Sequence, residues 1–156
     1  MTRSTPAAAS RPMARALAEA ASAAARGEVP VGAVVVDGAT GAVLAAAGNR
    51  TEAENDASAH AELLALRAAA RARGGPRLAD CDLYVTLEPC PMCAQAISLF
   101  RIRRLYYGAA DAKGGGVEHG PRIFAQPSCH HRPEVYGGID ERRAAALLTN
   151  FFRARR

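Results

Sequence analysis

The chain has 156 residues, a formal net charge of +5, 49% hydrophobic residues and 22% charged residues. This length favours a single domain with a sizeable core, and the composition is that of an ordinary globular protein rather than a disordered or fibrous one. No apolar run approaches the roughly 20 residues that a membrane-spanning helix needs, so we expect no membrane partner. The alanine-rich N-terminal region lacks the compact apolar stretch of a secretory signal, and we therefore expect a cytoplasmic protein.

The predicted elements alternate between helices and strands after a mobile arm at residues 1–11. Pro12 suits the first position of a helix. Asp56 or Ser58 is expected to cap the second helix, and the glycine-rich segment 111–116 is expected to be a flexible loop. The domain at 12–156 is predicted to contain helices at 12–27, 59–73, 91–100 and 122–125, strands at 29–36, 42–47, 81–87, 104–108 and 134–136, and a last helix after Asp140. This order predicts an α/β fold, a three-layer α-β-α sandwich around a central mixed five-stranded sheet.

Almost all basic side chains are arginines, since Lys113 is the only lysine among 20 Lys and Arg residues. GC-rich coding favours Arg and Ala together, so the excess of arginine has an explanation that is unrelated to function. The clustering is more informative, because basic clusters favour a phosphate-rich partner. The clusters consist of Arg101, Arg103 and Arg104 beside a predicted helix end, and of Arg153, Arg155 and Arg156 at the C-terminus.

Two short motifs with metal-ligand side chains lie at predicted helix starts. The first is His60-Ala-Glu62, and the second, about 26 residues later, is Pro89-Cys-Pro-Met-Cys93. Two cysteines three residues apart lie on one helix face, and the exposed amides of a helix start favour thiolates. Zinc prefers Cys and His ligands, and a catalytic zinc keeps one position for water. We therefore predict that His60, Cys90 and Cys93 hold zinc, in the combined pattern of zinc deaminases that act on nucleobases.

Glu62 is predicted to be the catalytic proton carrier. Zinc lowers the pKa of bound water from 15.7 to about 7, which makes hydroxide available at neutral pH. Glu62 would take a proton from that water and deliver it to the base nitrogen and then to the leaving amine. A redox role for the cysteine pair would leave His60 and Glu62 without a function. A closed structural zinc would need a fourth ligand. The remaining candidates lack paired spacing and have no assigned role: Cys81, Cys129, His119, His130 and His131.

Several segments resemble the bacterial tRNA-specific adenosine deaminase family of the cytidine/deoxycytidylate deaminase superfamily. These segments are Asn49, 59–62, 84–93, 101–104, 108–113 and 151–156. The resemblance implies a cytidine deaminase-like fold, one Zn2+ per subunit and a homodimer. It also implies the conversion of adenosine to inosine at the wobble position, position 34, of tRNA-Arg(ACG), with the tRNA anticodon stem-loop as partner.

The same resemblance implies roles for individual residues, and it agrees with the zinc ligands and the proton carrier assigned above. Asn49 would hold the substrate base, and Asp111 and Lys113 would bind near the flipped nucleotide and its neighbours. The structural alternatives are an ordinary loop residue for Asn49 and a solvated surface loop for Asp111 and Lys113.

Two other functions remain open at the level of sequence. The first is a deaminase of free guanine, adenine or cytosine, or of their nucleosides, with the same zinc site. Such an enzyme would not need an arginine-rich tail. The second is a non-catalytic module that binds zinc or RNA, whose function would not depend on Glu62.

Overall fold

The computed structural model describes residues 6–155, with side chains from residue 11 onward. The elements are, in chain order, α1 (Pro6–Ala25), β1 (Gly32–Asp37), β2 (Val43–Gly48), α2 (Ala61–Arg73), β3 (Cys81–Leu87), α3 (Pro91–Leu99), β4 (Arg104–Ala109), a short 3-10 helix (Ile123–Ala125), β5 (Glu134–Tyr136) and α4 (Glu141–Arg153). Within the described part of the chain, no helix is long and apolar enough to cross a membrane.

The five strands form one sheet in the order β2-β1-β3-β4-β5. Strand β1 is antiparallel to both β2 and β3, whereas β3, β4 and β5 run parallel to one another. The predicted mixed five-stranded sheet is thus confirmed. Because β1 opposes both of its neighbours, the carboxyl ends of β2 and β3 meet at the same edge of the sheet. The residues that follow Gly48 and Leu87 are therefore brought close together.

Helices cover both faces of the sheet, which confirms the predicted three-layer sandwich. Successive residues of a strand point to opposite faces. Val35 belongs to the core that contains buried residues of α2 and α3, whereas Val34 belongs to the core formed with α1 and α4. In the second core, three tyrosines from neighbouring strands stack on one another: Tyr84, Tyr106 and Tyr136.

The first helix is longer than the sequence predicts. It begins at Pro6, and Pro12 lies inside it, so the predicted start at Pro12 is wrong. Pro6 has the same preference for the first helical position, and the alanines that follow it have the highest helix propensity. Residues 6–11 of the predicted arm are therefore helical, and residues 1–5 lie outside the described residues.

Candidate metal centre and pocket

The three predicted metal ligands converge at the edge of the sheet described above. His60 Nδ1 lies 3.6 Å from Cys90 Sγ and 3.5 Å from Cys93 Sγ. Tetrahedral zinc, with ligand distances of about 2.0 Å to nitrogen and 2.3 Å to sulfur, places such atoms about 3.6 Å apart. The donor set and its spacing therefore fit a zinc ion.

The ligand set has three members among the residues whose side chains are described. A catalytic zinc typically has three protein ligands and one water, whereas a structural zinc has a fourth protein ligand. The spare cysteines are both buried at other places: Cys81 contacts the carboxylate of Asp80, and Cys129 contacts the hydroxyl of Ser98. This arrangement argues against a closed structural zinc site.

Two helix starts present the ligands. His60 is the N-cap of α2 and Cys90 is the N-cap of α3, where Pro91 occupies the first turn. Neither side chain makes a capping hydrogen bond, so both remain available to a metal. A hydrogen bond from the Cys93 thiol, together with one from His60, lowers the pKa of Cys90 to about 4. Cys90 is therefore a thiolate at neutral pH and a ready metal ligand.

Glu62 lies in the first turn of α2 and is only 4% exposed. It lines the same pocket as His60 and Cys90 without joining the ligand set. Burial raises the pKa of Glu62 to about 7. A carboxyl group with that pKa can accept and release a proton near neutral pH.

Asn49 follows β2 and is almost fully buried beside the ligands. Its Oδ1 accepts a hydrogen bond of 2.8 Å from the backbone N–H of Ala61, the first residue of α2. Asn49, which lies outside α2, thus provides the hydrogen-bond acceptor for the first backbone N–H group of this helix. The predicted cap by Asp56 or Ser58 is wrong, because the Asp56 carboxylate instead accepts bonds from the Ser58 amide and hydroxyl. Since the oxygen of Asn49 is engaged, its NH2 group remains as a hydrogen-bond donor.

A cavity of about 320 Å³ opens beside these groups. Its polar lining includes Asn49, Glu62 and Asp111, and its apolar lining includes Val31 and Leu87. An apolar pocket with a few convergent polar groups is typical of a small-molecule or base-binding site.

The structure separates the two loop residues predicted to bind substrate. Asp111 lines the cavity, whereas Lys113 is exposed and is not part of its lining. Asp111 Oδ1 also accepts hydrogen bonds from the backbone N–H groups of Lys113 and Gly114, at 3.1 and 2.9 Å. Part of the Asp111 carboxylate is therefore used to shape its own loop.

The glycine run after Lys113 lies in a loop, as predicted, and part of this loop packs closely against the Cys90 turn. Gly115 and Gly116 are buried, and the N–H of Gly116 donates to Pro89 O at 2.8 Å. A Cβ on Gly116 would lie 2.5 Å from the backbone nitrogen of Pro91. These glycines permit close approach of two backbones beside the Cys90 turn.

Sequence reasoning missed two buried carboxylates beside the cavity. Glu88 is 2% exposed, and Glu28 is 1% exposed. Glu28 accepts hydrogen bonds from the hydroxyl of Thr51 and from the backbone N–H groups of Glu52 and Ala53. Both carboxylates thus hold loop segments next to the pocket. A glutamate at the end of an apolar strand was the available signal for Glu88.

Glu88 makes the larger set of contacts. Its Oε1 accepts from the Asp111 N–H at 3.0 Å and lies 2.8 Å from the His119 ring Nδ1. Its Oε2 accepts from the backbone N–H groups of Val117, Glu118 and His119, at 3.2, 2.9 and 3.1 Å. Burial opposes the charge, but the hydrogen bonds from these donors hold the pKa of Glu88 below its usual value.

A family model described as "Cytidine and deoxycytidylate deaminase zinc-binding region" matches residues 7–109 of the chain. The chain is also 58% identical over 141 residues to the tRNA-specific adenosine deaminase of Agrobacterium fabrum. That alignment covers 90% of this chain and 91% of the relative.

Solved structures of deaminases also resemble the chain. One, from a study of A-to-I editing by tRNA:A34 deaminases at the wobble position of transfer RNA, matches with a TM-score of 0.85 and 58% identity. The match covers 88% of this chain and 98% of the solved one. A guanine deaminase of Bacillus subtilis matches with a TM-score of 0.62 and 32% identity, over 80% of this chain and 82% of the other. The chain belongs to the tRNA-specific adenosine deaminases, within the cytidine and deoxycytidylate deaminase family that is defined by its zinc-binding region.

Proposed function

We propose that this protein hydrolyses adenosine to inosine at wobble position 34 of a transfer RNA, with tRNA-Arg(ACG) as the substrate. The main support for this reaction is the site formed by three potential metal ligands, which borders a cavity next to the buried carboxyl group of Glu62. The substrate is supported by relatives at high identity that are named as tRNA-specific adenosine deaminases.

His60, Cys90 and Cys93 hold one Zn2+ per subunit in this proposal. When bound, zinc lowers the pKa of a coordinated water to about 7 and so provides a nucleophile at neutral pH. His60 and Cys90 line the cavity from two helix starts, and Cys93 lies behind them, buried in the first turn of α3.

Glu62 moves the protons. Because burial raises the pKa of Glu62, this carboxyl group can take one proton from the attacking water and pass it to a ring nitrogen of the base. It then carries the second proton of that water to the departing amine. Water and adenosine are consumed, and inosine and ammonia are formed. Because Glu62 is buried, bulk water does not compete for these protons.

Asn49 and the loop at 111–113 bind the substrate. The free NH2 group of Asn49 donates a hydrogen bond to a ring nitrogen of the base in the cavity. Asp111 contacts the extruded nucleotide at the cavity wall. Lys113 is exposed beyond the cavity, where its ammonium group can contact a neighbouring phosphate.

The arginines contribute unequally to the proposed RNA surface. Arg103 and Arg104 form ion pairs of 2.9 Å with Asp82 and Glu134, so these two stabilise the sheet. Arg155 instead lies next to the turn at Gly27, where a Cβ would be 3.9 Å from its Nη2. Arg155 also stacks on the ring of Phe151, 3.5 Å from its centroid. Arg153 and Arg155 are exposed, so we assign the anticodon stem-loop contact to these two rather than to Arg103 and Arg104.

A homodimer is proposed through the outer face of α3. Met92 and Leu99 are 39% and 64% exposed on this helix, and Gln95 lies between them on the same face. An exposed apolar face on the helix that carries both cysteines suits contact with a second copy of the chain.

Light scattering of the Leu99→Glu variant tests this dimer: we expect a monomer, and a dimer identical to wild type contradicts the proposed interface. Val43→Glu, which alters a 48% exposed residue on an edge strand, is the matched control.

The decisive experiment for function uses zinc-loaded protein with an anticodon stem-loop that carries adenosine at position 34, followed by nucleoside analysis by mass spectrometry. We expect inosine at that position, and a cytoplasmic location for the reaction because tRNA is found there. If the protein deaminates free guanine, adenine, cytosine or nucleosides but not the stem-loop, the free-base alternative is favoured. The match to a guanine deaminase is the observation that supports this alternative. Full function in Glu62→Ala would favour a non-catalytic binding module.

A further inference from the structure

We propose that Glu88 is a positioning residue that acts through Asp111 to hold the substrate-binding wall of the pocket. The wall is the segment 111–119, which we call the Glu88 loop. This inference deepens the proposed function, because it rests on contact between Asp111 and the extruded nucleotide. It concerns a residue that binds neither metal nor substrate.

The first step is the saturation of the Glu88 carboxylate. Among the described residues, all five hydrogen bonds to it come from the Glu88 loop: four backbone N–H groups and the His119 ring. An ionised carboxylate offers about four lone-pair sites, so this one has no capacity left for substrate or water. The side chain is also fully buried. Although Glu88 also belongs to the cavity lining, its carboxylate is therefore committed to the loop.

The second step is the path from Glu88 to the cavity. The N–H of Asp111 donates to Glu88, and the side chain of Asp111 lines the cavity. Asp111 then shapes the following turn, because its carboxylate accepts from Lys113 and Gly114 and its carbonyl accepts from Gly115 at 2.9 Å. A shift of the Asp111 backbone therefore moves the proposed substrate contacts together.

The third step identifies what the substitution Glu88→Gln would change. The new amide nitrogen, in the place of Oε2, would face three backbone donors. In the place of Oε1 it would face the Asp111 N–H and the His119 ring nitrogen, which can accept a hydrogen bond in its other tautomer. The second orientation is better, and it leaves only the Asp111 N–H without an acceptor. Glu88→Gln therefore removes the hydrogen bond to the Asp111 N–H, which is the contact that links Glu88 to the substrate-binding residue.

The test compares kcat and KM of Glu88→Gln, Asp111→Asn and the double variant on the stem-loop, with zinc content measured for each. We expect each single variant to raise KM about tenfold, the scale of one hydrogen bond to a charged group. We expect kcat to stay within about threefold of wild type and zinc to stay at one per chain. Because both residues act through one contact, the double variant raises KM about as much as a single one.

Asp82→Asn is the matched control, since Asp82 is a buried carboxylate that binds Arg103 far from the pocket. We expect its KM to match wild type. Three results would overturn the proposal. The KM of Glu88→Gln could equal that of wild type, or the KM of the double variant could rise about a hundredfold. A loss of zinc that accounts for the change in KM would also overturn it.

Two further measurements keep the test decisive. If Glu88→Gln yields no folded protein, Tyr107→Phe replaces it, because Tyr107 anchors the same loop through a 2.5 Å bond to Glu118. We expect its KM to rise about threefold, and an unchanged KM overturns the proposal. If wild-type protein leaves the stem-loop unmodified, the proposed function fails, but amide hydrogen exchange still tests the anchor. We expect faster exchange at Asp111 in Glu88→Gln than in Asp82→Asn, and equal exchange refutes it.

Discussion

Asn49 has one observed task and one proposed task, and two substitutions distinguish them. Its Oδ1 accepts a hydrogen bond from the Ala61 N–H at 2.8 Å, and we propose that its NH2 group binds the base. Asn49→Ala removes both. The lost cap is expected to cost about 1 kcal/mol of unfolding free energy. The lost base contact leaves a buried acceptor unsatisfied, at about 1–3 kcal/mol, so kcat/KM should fall about 10- to 100-fold.

Asn49→Asp keeps an oxygen for the Ala61 N–H but removes the donors. A carboxylate at a helix start makes a stronger, charge-assisted bond there, which offsets part of the cost of burying the charge. We therefore expect Asn49→Asp to be more stable than Asn49→Ala. Its kcat/KM should nevertheless fall at least as far, because a carboxylate repels a ring nitrogen acceptor.

Urea denaturation measures the stabilities, and initial rates on the stem-loop measure kcat/KM. Near wild-type kcat/KM in Asn49→Asp would refute the assignment of the amide donors to the base. Wild-type stability in Asn49→Ala would show that the bond to Ala61 does not support α2. Only both outcomes together would return Asn49 to the role of an ordinary loop residue.

Three further predictions concern the metal site and its surroundings. Chelation of zinc should abolish turnover, and added Zn2+ should restore it, whereas turnover that survives chelation would exclude the metal mechanism. Gly116→Ala should cost about 1–3 kcal/mol by thermal denaturation and weaken zinc binding, because its Cβ would meet Pro91 at 2.5 Å. The control is Gly75→Ala, whose Cβ would meet nothing within 4 Å and whose melting temperature should barely change. Burial raises the pKa of Glu62 from 4.5 to about 7, so the folded metal-free protein binds more protons than the unfolded chain between these values. Metal-free wild type should therefore lose up to about 3 kcal/mol of stability relative to Glu62→Gln as pH rises through this range, and parallel stability curves for the two proteins would contradict the shift.

The chemistry of the site was readable from short segments, because its main signals are local. Glu88-Pro89 follows the apolar run of β3, Pro91 begins α3, and the observed strand Cys81–Leu87 has the predicted bounds. Cysteines at i and i+3 of a helix start share a face whatever the rest of the fold does. The pairing of this motif with His60 and Glu62 then indicated the metal, the proton carrier and the family.

Only the tertiary structure decided which polar groups support that site. Glu88 receives its donors from residues 23–31 positions away in sequence, and Asn49 caps a helix that begins 12 residues later. The ion pair of Arg103 likewise uses Asp82, 21 positions earlier on a neighbouring strand. No local pattern encodes such contacts, because they depend on which strand ends meet at one edge of the sheet. The amino-acid sequence by itself thus predicted the candidate zinc ligands and the reaction type, whereas the packing of β1 between β2 and β3 decided how the pocket is built.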